Sequence, residues 1–306
     1  MIPELLAQVS EENLHKHLFH IAKDPIPFRK VNHTVPGHAK NTLDETDDFL
    51  QAKLEEYGYK VEKEEFKAQA FGRDITKHKS HQYASPVPGS PVCPVFNLYV
   101  RKEGSEFPSE IIIVIAHKDS PSWIDSPGAY DNAGGTVAVL EISRILKNYT
   151  PKRTIQFVFC NEEHFPWTSM AFAENAKTRG DNLAAVFNID TVGGKSREDV
   201  DAGKKTSAVL YTLEPEGKEL AALVTEANAL FNIGLSHTEF HRQAPGDDDG
   251  SFIKAGFPAA VAIFGSYPYA DPEYHLETDT ADHADIANIA MATKLALASI
   301  LMRDSK

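Results

Sequence analysis

The feature that most constrains the fold is a continuous apolar run, Ile111-Ile112-Ile113-Val114-Ile115-Ala116. A strand without polar residues has no solvated face, which is typical of a parallel sheet covered by helices on both sides. From about residue 110 such strand patterns alternate with stretches that have apolar residues at helical spacing. The alternation predicts an α/β fold: a single domain with a mixed, largely parallel β-sheet flanked by helices on both faces.

The same patterns predict the individual elements. Strands are expected over 59–66 (an edge strand), 95–100, 111–116, 154–160, 185–190, 207–213 and 258–264. Helices are expected over 3–22, 41–57 (opening at Asn41 as N-cap), 134–148, 168–178, 216–230 and 282–302. Residues 68–92 are rich in Gly, Pro, His and Ser and are expected to form irregular loop. We find no interdomain linker, so residues 1–306 are expected to form one domain that includes the helices and edge strand of residues 1–100.

The composition is typical of a soluble globular enzyme, with 42% hydrophobic and 25% charged residues. The net charge is −13, from 44 acidic and 31 basic residues, which argues against nucleic acid and anionic membranes as partners. Two cysteines, Cys93 and Cys160, are too few for a disulfide framework. No apolar stretch approaches a membrane span, and no signal peptide is recognisable. We therefore expect a cytoplasmic protein, or a secreted one if a leader has been removed.

Side chains that bind metals follow several predicted strands. His117 comes directly after one strand, the pair Glu162-Glu163 follows another, and Asp190 ends a third. Because sites in open α/β sheets form outside the carboxyl ends of the strands, we expect these residues to meet. Imidazoles together with carboxylates are a typical ligand set for zinc. A spare glutamate beside a ligand glutamate can act as the general base for an attacking water.

Each of these residues also has an ordinary structural interpretation. Asp131, in the small-residue turn 128–135, could cap a helix, and Asp190 could end a strand in a turn. An adjacent pair of glutamates is common on protein surfaces. The residue types and their spacing alone leave a metal site and a structural explanation about equally weighted.

The motifs resemble those of the co-catalytic di-zinc aminopeptidases of the aminopeptidase Y and bacterial leucyl aminopeptidase type. The matching segments occur in the family's order between residues 110 and 280: Ala116-His117-Lys118-Asp119-Ser120, Pro127-Gly128-Ala129-Tyr130-Asp131-Asn132-Ala133-Gly134-Gly135, Asn161-Glu162-Glu163, Asn188-Ile189-Asp190 and Tyr274-His275. The front of the chain matches more loosely, through residues 33–37 and 54–59. Together these segments make a specific match, far stronger than any single motif.

The resemblance implies a role for each matching ligand residue. Asp131 would bridge two zinc ions, with His117 and Asp190 completing one metal site, and Glu163 and His275 completing the other. Manganese and cobalt also suit such oxygen and imidazole ligands. The implied fold is that of the zinc peptidases, which is phosphorylase/hydrolase-like.

The resemblance also implies the catalytic residues and the reaction. Glu162 would be the general base that takes a proton from a water bridging the metals, and Asp119 would orient the His117 imidazole. Asp248 matches a recurring aspartate that would act from behind the ligands, and the peptide bond between Asp131 and Asn132 would be cis. The substrate would be a peptide with a free N-terminus, from which the enzyme removes the N-terminal residue.

Three positions depart from the family pattern. Residues 164–169 replace a small glycine-containing turn that borders the site, Thr191 stands where methionine is frequent, and Tyr130 stands where aspartate is frequent. These departures leave the side-chain specificity open. Four aromatic residues either line an apolar substrate pocket or pack in the ordinary way: Phe165, Trp167, Tyr267 and Tyr269. Three further histidines are expected at the surface or behind the ligands: His164, His237 and His241.

Other functions of the same fold stay open. Glutaminyl cyclases are acyltransferases with one zinc and one degraded metal site, whereas both ligand sets are intact here. Carboxypeptidases and other amidases have related sites, and a non-catalytic binding module would have lost ligands. A requirement for a free N-terminal amine would distinguish an aminopeptidase from the amidases. The sequence does not indicate the oligomeric state.

Overall fold

The computed structural model describes residues 1–213 and 215–306. Its strands are β1 (Glu62–Ala70), β2 (Gly72–Arg73), β3 (Tyr83–Ala84), β4 (Cys93–Lys102), β5 (Phe107–His117), β6 (Arg153–Cys160), β7 (His164–Phe165), β8 (Asn182–Ile189), β9 (Thr206–Tyr211), β10 (Ser236–His241) and β11 (Ala260–Phe264). Its α-helices are α1 (Ile2–Leu6), α2 (Glu11–Ala22), α3 (Thr42–Glu56), α4 (Gly135–Leu146), α5 (Thr168–Arg179), α6 (Arg197–Asp201), α7 (Glu216–Leu230), α8 (Asp247–Ala255) and α9 (Ile286–Ser305).

Nine of the described strands form one sheet in the order β10-β9-β11-β8-β5-β6-β4-β1-β7, and β2 pairs with β3 in a second, two-stranded sheet. The centre is parallel, since β5 pairs in parallel with both β6 and β8, and β8 pairs in parallel with β11. Towards one edge, β6, β4, β1 and β7 pair antiparallel. The parallel centre matters for function because it brings the carboxyl ends of β5, β6 and β8 to the same side of the molecule.

The central strand β5 is buried on both faces, as its sequence predicts. Ile112 and Val114 pack into the larger hydrophobic cluster, which contains residues of α2, α4, α7 and α9. Ile113 and Ile115 pack on the opposite face, against residues of α5 and α8. Burying each such side chain contributes about 1.5–3 kcal/mol. The α/β fold class, with a mixed sheet between two helical layers, is therefore confirmed.

Several boundaries differ from the expected ones. The expected helix 3–22 is two helices, since the chain breaks before Ser10, whose hydroxyl accepts a hydrogen bond from the N–H of Asn13 as the cap of α2. Asn41 caps α3 as predicted, by accepting the N–H of Asp44. Residues 68–92 were wrongly expected to be irregular throughout, because they contain the small β2–β3 sheet and a short 3₁₀ turn, Lys79–His81.

The expectation that no apolar stretch approaches a membrane span was also wrong for α9. This helix of 20 residues is long and apolar enough to cross a membrane, but most of its apolar stretch is buried inside the protein. Leu295, Leu297 and Ile300 are fully buried in the larger hydrophobic cluster. Burial in the core therefore explains why this helix is so apolar.

Candidate metal centre

The carboxyl ends of the three central strands carry the first group of predicted site residues. His117 is the last residue of β5, Glu162 and Glu163 follow β6, and Asp190 follows β8. Two loops bring the remaining residues to the same place: Asp119 and Asp131 between β5 and α4, and His275 between β11 and α9. All seven side chains are buried. They lie close together in one cluster.

Asp131 lies between the two histidines. Its Oδ1 is 3.1 Å from Nε2 of His117, and its Oδ2 is 2.9 Å from Nε2 of His275. On the first side, Nε2 of His117 is also 3.4 Å from Oδ1 of Asp190, and on the second, Nε2 of His275 is 3.4 Å from Oε1 of Glu163. Ligands about 2.0–2.1 Å from a tetrahedral zinc ion lie about 3.4 Å from one another. Both groups therefore have the spacing that a zinc ion requires.

The hydrogen bonds of the two imidazoles leave Nε2 free to bind a metal. Nδ1 of His117 lies 3.3 Å from Oδ1 of Asp119, and Nδ1 of His275 lies 2.9 Å from the main-chain oxygen of Ser80. Because an oxygen at Nδ1 accepts its proton, the neutral ring presents a lone pair at Nε2. Ser80 belongs to the segment expected to be irregular loop, and no sequence signal marks a main-chain carbonyl as a partner of His275.

Asp119 fixes the main chain that carries the two glutamates. Its Oδ1 accepts the N–H of Glu162 at 2.9 Å, and its Oδ2 accepts the N–H of Glu163 at 2.8 Å. Oδ2 also accepts a hydrogen bond from Nδ1 of His164 at 2.7 Å. Nε2 of His164 accepts the N–H of Val31 at 3.2 Å, so Nδ1 carries the ring proton. His164 thus lies behind the ligands, which is one of the two places expected for it.

The pKa of Asp119 reports this environment. Burial alone would raise the pKa of Asp119, but hydrogen bonds from His117 and His164 more than offset the effect and hold it well below its usual range. A carboxylate that accepts several N–H groups stays ionised even when it is buried. Asp119 is therefore a fixed negative charge behind His117.

Three other carboxylates of the cluster are in the opposite situation. Burial, followed by the negative charge of neighbouring carboxylates, raises the pKa of Glu162 and of Glu163, and the pKa of Asp190 to about 7. For His275 burial alone would lower the pKa, but the charges of Glu163 and Asp131 raise it to about 10. The raised pKa values of the carboxyl groups and of His275 both reflect an excess of negative charge in the buried cluster.

Several buried atoms of the cluster also lack a hydrogen-bond partner among residues 1–213 and 215–306. They are Oε2 of Glu162, Oδ1 of Asp190 and Nε2 of His275. Native proteins rarely leave buried polar atoms unpaired without a functional reason, and buried charges are normally paired or bound to metal. The donor set, its spacing and these unpaired atoms fit a pair of divalent cations.

The turn that presents Asp131 is held from two directions. The carboxylate of Asp279 accepts the N–H of Tyr130 at 2.8 Å and that of Asp131 at 3.2 Å. The Asn132 side chain donates to the carbonyl of Ile189 at 3.0 Å and accepts from a neighbouring main-chain N–H. The peptide bond between Asp131 and Asn132 is cis, as the resemblance implied. Sequence reasoning missed Asp279, since an isolated aspartate near a helix start has many ordinary roles.

A buried arginine fixes the loops around this turn. Arg29 is fully buried and donates to four main-chain oxygens, those of Ile21, Lys118, Pro127 and Gly128, at 2.6–3.0 Å. Burial lowers its pKa to about 10. The sequence contains no pattern that would separate this arginine from those on the surface.

A pocket of about 160 Å³ opens at the cluster and is lined by Glu162, Glu163 and His275. Most of its remaining wall is aromatic: Phe71, Tyr83, Trp123, Trp167, Tyr269 and Tyr274. Of the four aromatic residues proposed from the sequence, Trp167 and Tyr269 line it. Phe165 is 47% exposed, and Tyr267 packs against Phe240. Phe71, Tyr83 and Trp123 were not predicted, because they come from distant segments without a recognisable pattern.

The remaining proposed residues lie outside the ligand groups. Asp248 is buried near the start of α8, where its Oδ2 accepts a hydrogen bond from Sγ of Cys160 at 3.0 Å. Its charge is the main cause, after burial, of the raised pKa of Glu162. His237 and His241 lie on the edge strand β10, and their rings contact Ser207 and Thr212. Both histidines therefore belong to the sheet edge.

Comparison with known proteins finds curated relatives that are named as aminopeptidases. "Probable aminopeptidase YDR415C" of Saccharomyces cerevisiae is 26% identical over 227 residues, which cover 67% of this chain and 56% of the relative. "Aminopeptidase YwaD" of Bacillus subtilis is 27% identical over 195 residues, which cover 62% of this chain and 40% of the relative. The chain thus spans about half the length of these curated relatives.

Solved structures show the same fold. The aminopeptidase from Aneurinibacillus sp. strain AM-1 superposes with a TM-score of 0.74 at 14% identity, covering 98% of this chain and 95% of that one. The Bacteroides thetaiotaomicron glutaminyl cyclase bound to N-acetylhistamine gives a TM-score of 0.72 at 18% identity, covering 95% and 97%. The family model for peptidase family M28 matches residues 97–300, about two thirds of the chain. This protein therefore belongs to peptidase family M28.

Proposed function

We propose that this protein is a zinc-dependent aminopeptidase that hydrolyses the first peptide bond of peptides with a free N-terminus. The observation that carries the proposal is the arrangement around Asp131. Each of its two oxygens faces a histidine, and each histidine faces a further carboxylate at the spacing of metal ligands. Membership of a peptidase family and the aminopeptidase relatives support the same reaction.

The proposed cofactor is a pair of zinc ions. His117 and Asp190 would hold one ion, Glu163 and His275 the other, and Asp131 would bind both. When bound, two such ions polarise the scissile carbonyl and lower the pKa of the attacking water. Manganese and cobalt have compatible ligand preferences.

Glu162 is the proposed general base. One of its carboxylate oxygens lies within 4.8 Å of the ligand atoms of His117 and Asp190, and its Oε2 has no hydrogen-bond partner in the described part of the chain. In our proposal it accepts the proton of the attacking water and returns it to the leaving amine. Asp119 positions it by accepting the main-chain N–H of Glu162.

The lining and charge of the pocket suit a substrate with a free N-terminus. The pocket has a volume of about 160 Å³, and its mostly aromatic wall suits an apolar N-terminal side chain. The carboxylates of Glu162 and Glu163 line the pocket and attract a substrate ammonium group, whereas an acylated amine has no charge. Asp247 also lines the pocket, but Arg242 and Tyr269 already bind its carboxylate.

The test is hydrolysis of paired aminoacyl amides, unblocked and N-acetylated, before and after removal of metal with a chelator. We expect cleavage of the unblocked members only, loss after chelation and recovery with zinc. Cleavage of the acetylated members would make the protein an amidase of another type. If neither is cleaved, release of ammonia from N-terminal glutamine would support the glutaminyl cyclase alternative, which shares this fold.

A further inference from the structure

A second pocket shares a wall residue, Trp123, with the pocket at the metal centre. It has a volume of about 420 Å³ and is lined by Lys30, Arg73, Trp123 and Glu277, among other residues. Trp123 lines the metal-centre pocket as well, and its ring contacts that of His275 edge to face, with centroids 4.9 Å apart. The second pocket therefore begins one indole ring away from a proposed metal ligand.

Trp123 itself presents an unused hydrogen-bond donor. The residue is only 8% exposed, and its Nε1 is buried without a hydrogen-bond partner in residues 1–213 and 215–306. The indole N–H can only donate, so it needs an acceptor such as a carbonyl or carboxylate oxygen. Buried tryptophan N–H groups usually have such a partner, so the missing acceptor points to a ligand.

Lys30 holds a positive charge at the pocket wall. Its side chain is 5% exposed, and its Nζ donates to the main-chain oxygen of Ile124 at 3.0 Å and to Oδ1 of Asp125 at 2.6 Å. The Asp125 side chain is 68% exposed. Because the Asp125 side chain can turn into solvent, an incoming carboxylate can take its place on a lysine that is already in position.

Arg73 brings a second charge from the β2–β3 segment. Its Nε donates to Oε1 of Gln82 at 2.8 Å, while its Nη2 is 3.8 Å from Glu277, beyond hydrogen-bond distance. The terminal nitrogens of this guanidinium therefore have N–H groups to offer, in the forked geometry that matches a carboxylate. Lys30, Arg73 and Trp123 all line the pocket, and together they supply two cations and one unpaired N–H.

We propose that this group, here called the carboxylate subsite (Lys30, Arg73 and Trp123), binds the C-terminal carboxylate of a short peptide whose first residue occupies the metal centre. The inference rests on the proposed aminopeptidase function and names its substrate class, di- and tripeptides with a free C-terminus. An extended residue spans at most about 3.3–3.6 Å, so one or two residues beyond the scissile bond reach past a single indole ring. On a chain with a net charge of −13, such a site also offsets the repulsion of the substrate's terminal carboxylate.

The test compares tripeptides X-Gly-Gly with their C-terminal amides, where X is the N-terminal residue that the wild-type enzyme cleaves fastest. We expect kcat/KM to be about tenfold higher for the acid than for the amide, the scale of one charge-assisted hydrogen bond, with most of the difference in KM. Arg73→Gln and Trp123→Phe should lower the acid-to-amide ratio several-fold. Trp123→Phe retains an aromatic ring beside His275 and removes the donor together with part of the indole.

Lys79→Met is the matched control. Lys79 pairs with the same Glu277 as Arg73 but does not line the pocket, so its acid-to-amide ratio should equal that of the wild type. An equal rate for acid and amide in the wild type, or an unchanged ratio in both Arg73→Gln and Trp123→Phe, overturns the carboxylate subsite and leaves the aminopeptidase intact. Failure to cleave even unblocked aminoacyl amides overturns both.

Discussion

Replacing Asp119 by asparagine is the substitution that most sharply tests how the metal centre is built. The carboxylate accepts four N–H groups, two on each oxygen: from His117 and Glu162 on Oδ1, and from Glu163 and His164 on Oδ2. Asparagine keeps the shape but turns one oxygen into an NH₂ donor that faces two donors. At about 1.5–3 kcal/mol for each hydrogen bond to a charged group, we expect Asp119→Asn to lower the free energy of unfolding by about 3 kcal/mol or more.

The loss should also reach the metals. Replacing the partner of a metal-binding imidazole typically lowers metal affinity 10–100-fold, and Asp119 supports His117 on one side of the pair. Urea unfolding of chelator-treated protein measures the free energy of unfolding. Competition with a chromogenic zinc chelator measures the affinity for zinc. Asp282→Asn is the control, since Asp282 forms an exposed ion pair with Lys23. Unfolding free energy and zinc affinity both equal to the wild type would refute the reasoning.

Three further substitutions test other parts of the site and the fold. Glu162→Gln should retain the fold and the metals but lose 10²–10⁴-fold in kcat, as the removal of a general base does; near-normal turnover would contradict its role. Asp131→Ala should release metal, because Asp131 contacts both histidines, and elemental analysis that still finds two equivalents would contradict a bridge. His17, whose pKa burial lowers to about 4, is neutral in the folded protein, so its contribution is complete above the unfolded pKa of about 6.5 and is lost as pH falls towards 4. His17→Leu should lose less stability than the wild type between pH 7 and pH 4 in urea titrations, and parallel pH profiles would contradict this assignment.

The central sheet could be predicted from the sequence because its strands have no solvated face. The apolar run of β5 is buried on both sides, as are β6 and β8, so period and composition agree with the structure. The expectation failed at β10 and α8, where no element was predicted. β10 is a sheet edge in which every residue but Phe240 is polar. α8 opens with three aspartates, which resemble a loop in sequence but suit the first turn of a helix.

The candidate site was also only partly predictable from the sequence. Its ligands belong to short motifs at strand ends, where the fold requires them to meet, so His117, Glu163 and Asp190 could be identified together. Two of the supporting residues could not be identified, because Ser80 acts through a main-chain oxygen and Arg29 through contacts with four main-chain carbonyls. A residue type carries no information about such contacts until the chain has folded.

The most direct test of a paired metal centre is anomalous X-ray scattering from crystals of the zinc-loaded protein, measured on both sides of the zinc edge. We predict two peaks of similar height, about 3.5–4 Å apart as in other two-metal sites. One should lie between His117 and Asp190, the other between Glu163 and His275, with Asp131 contacting both. A single peak, or zinc bound away from Asp131, would contradict the account.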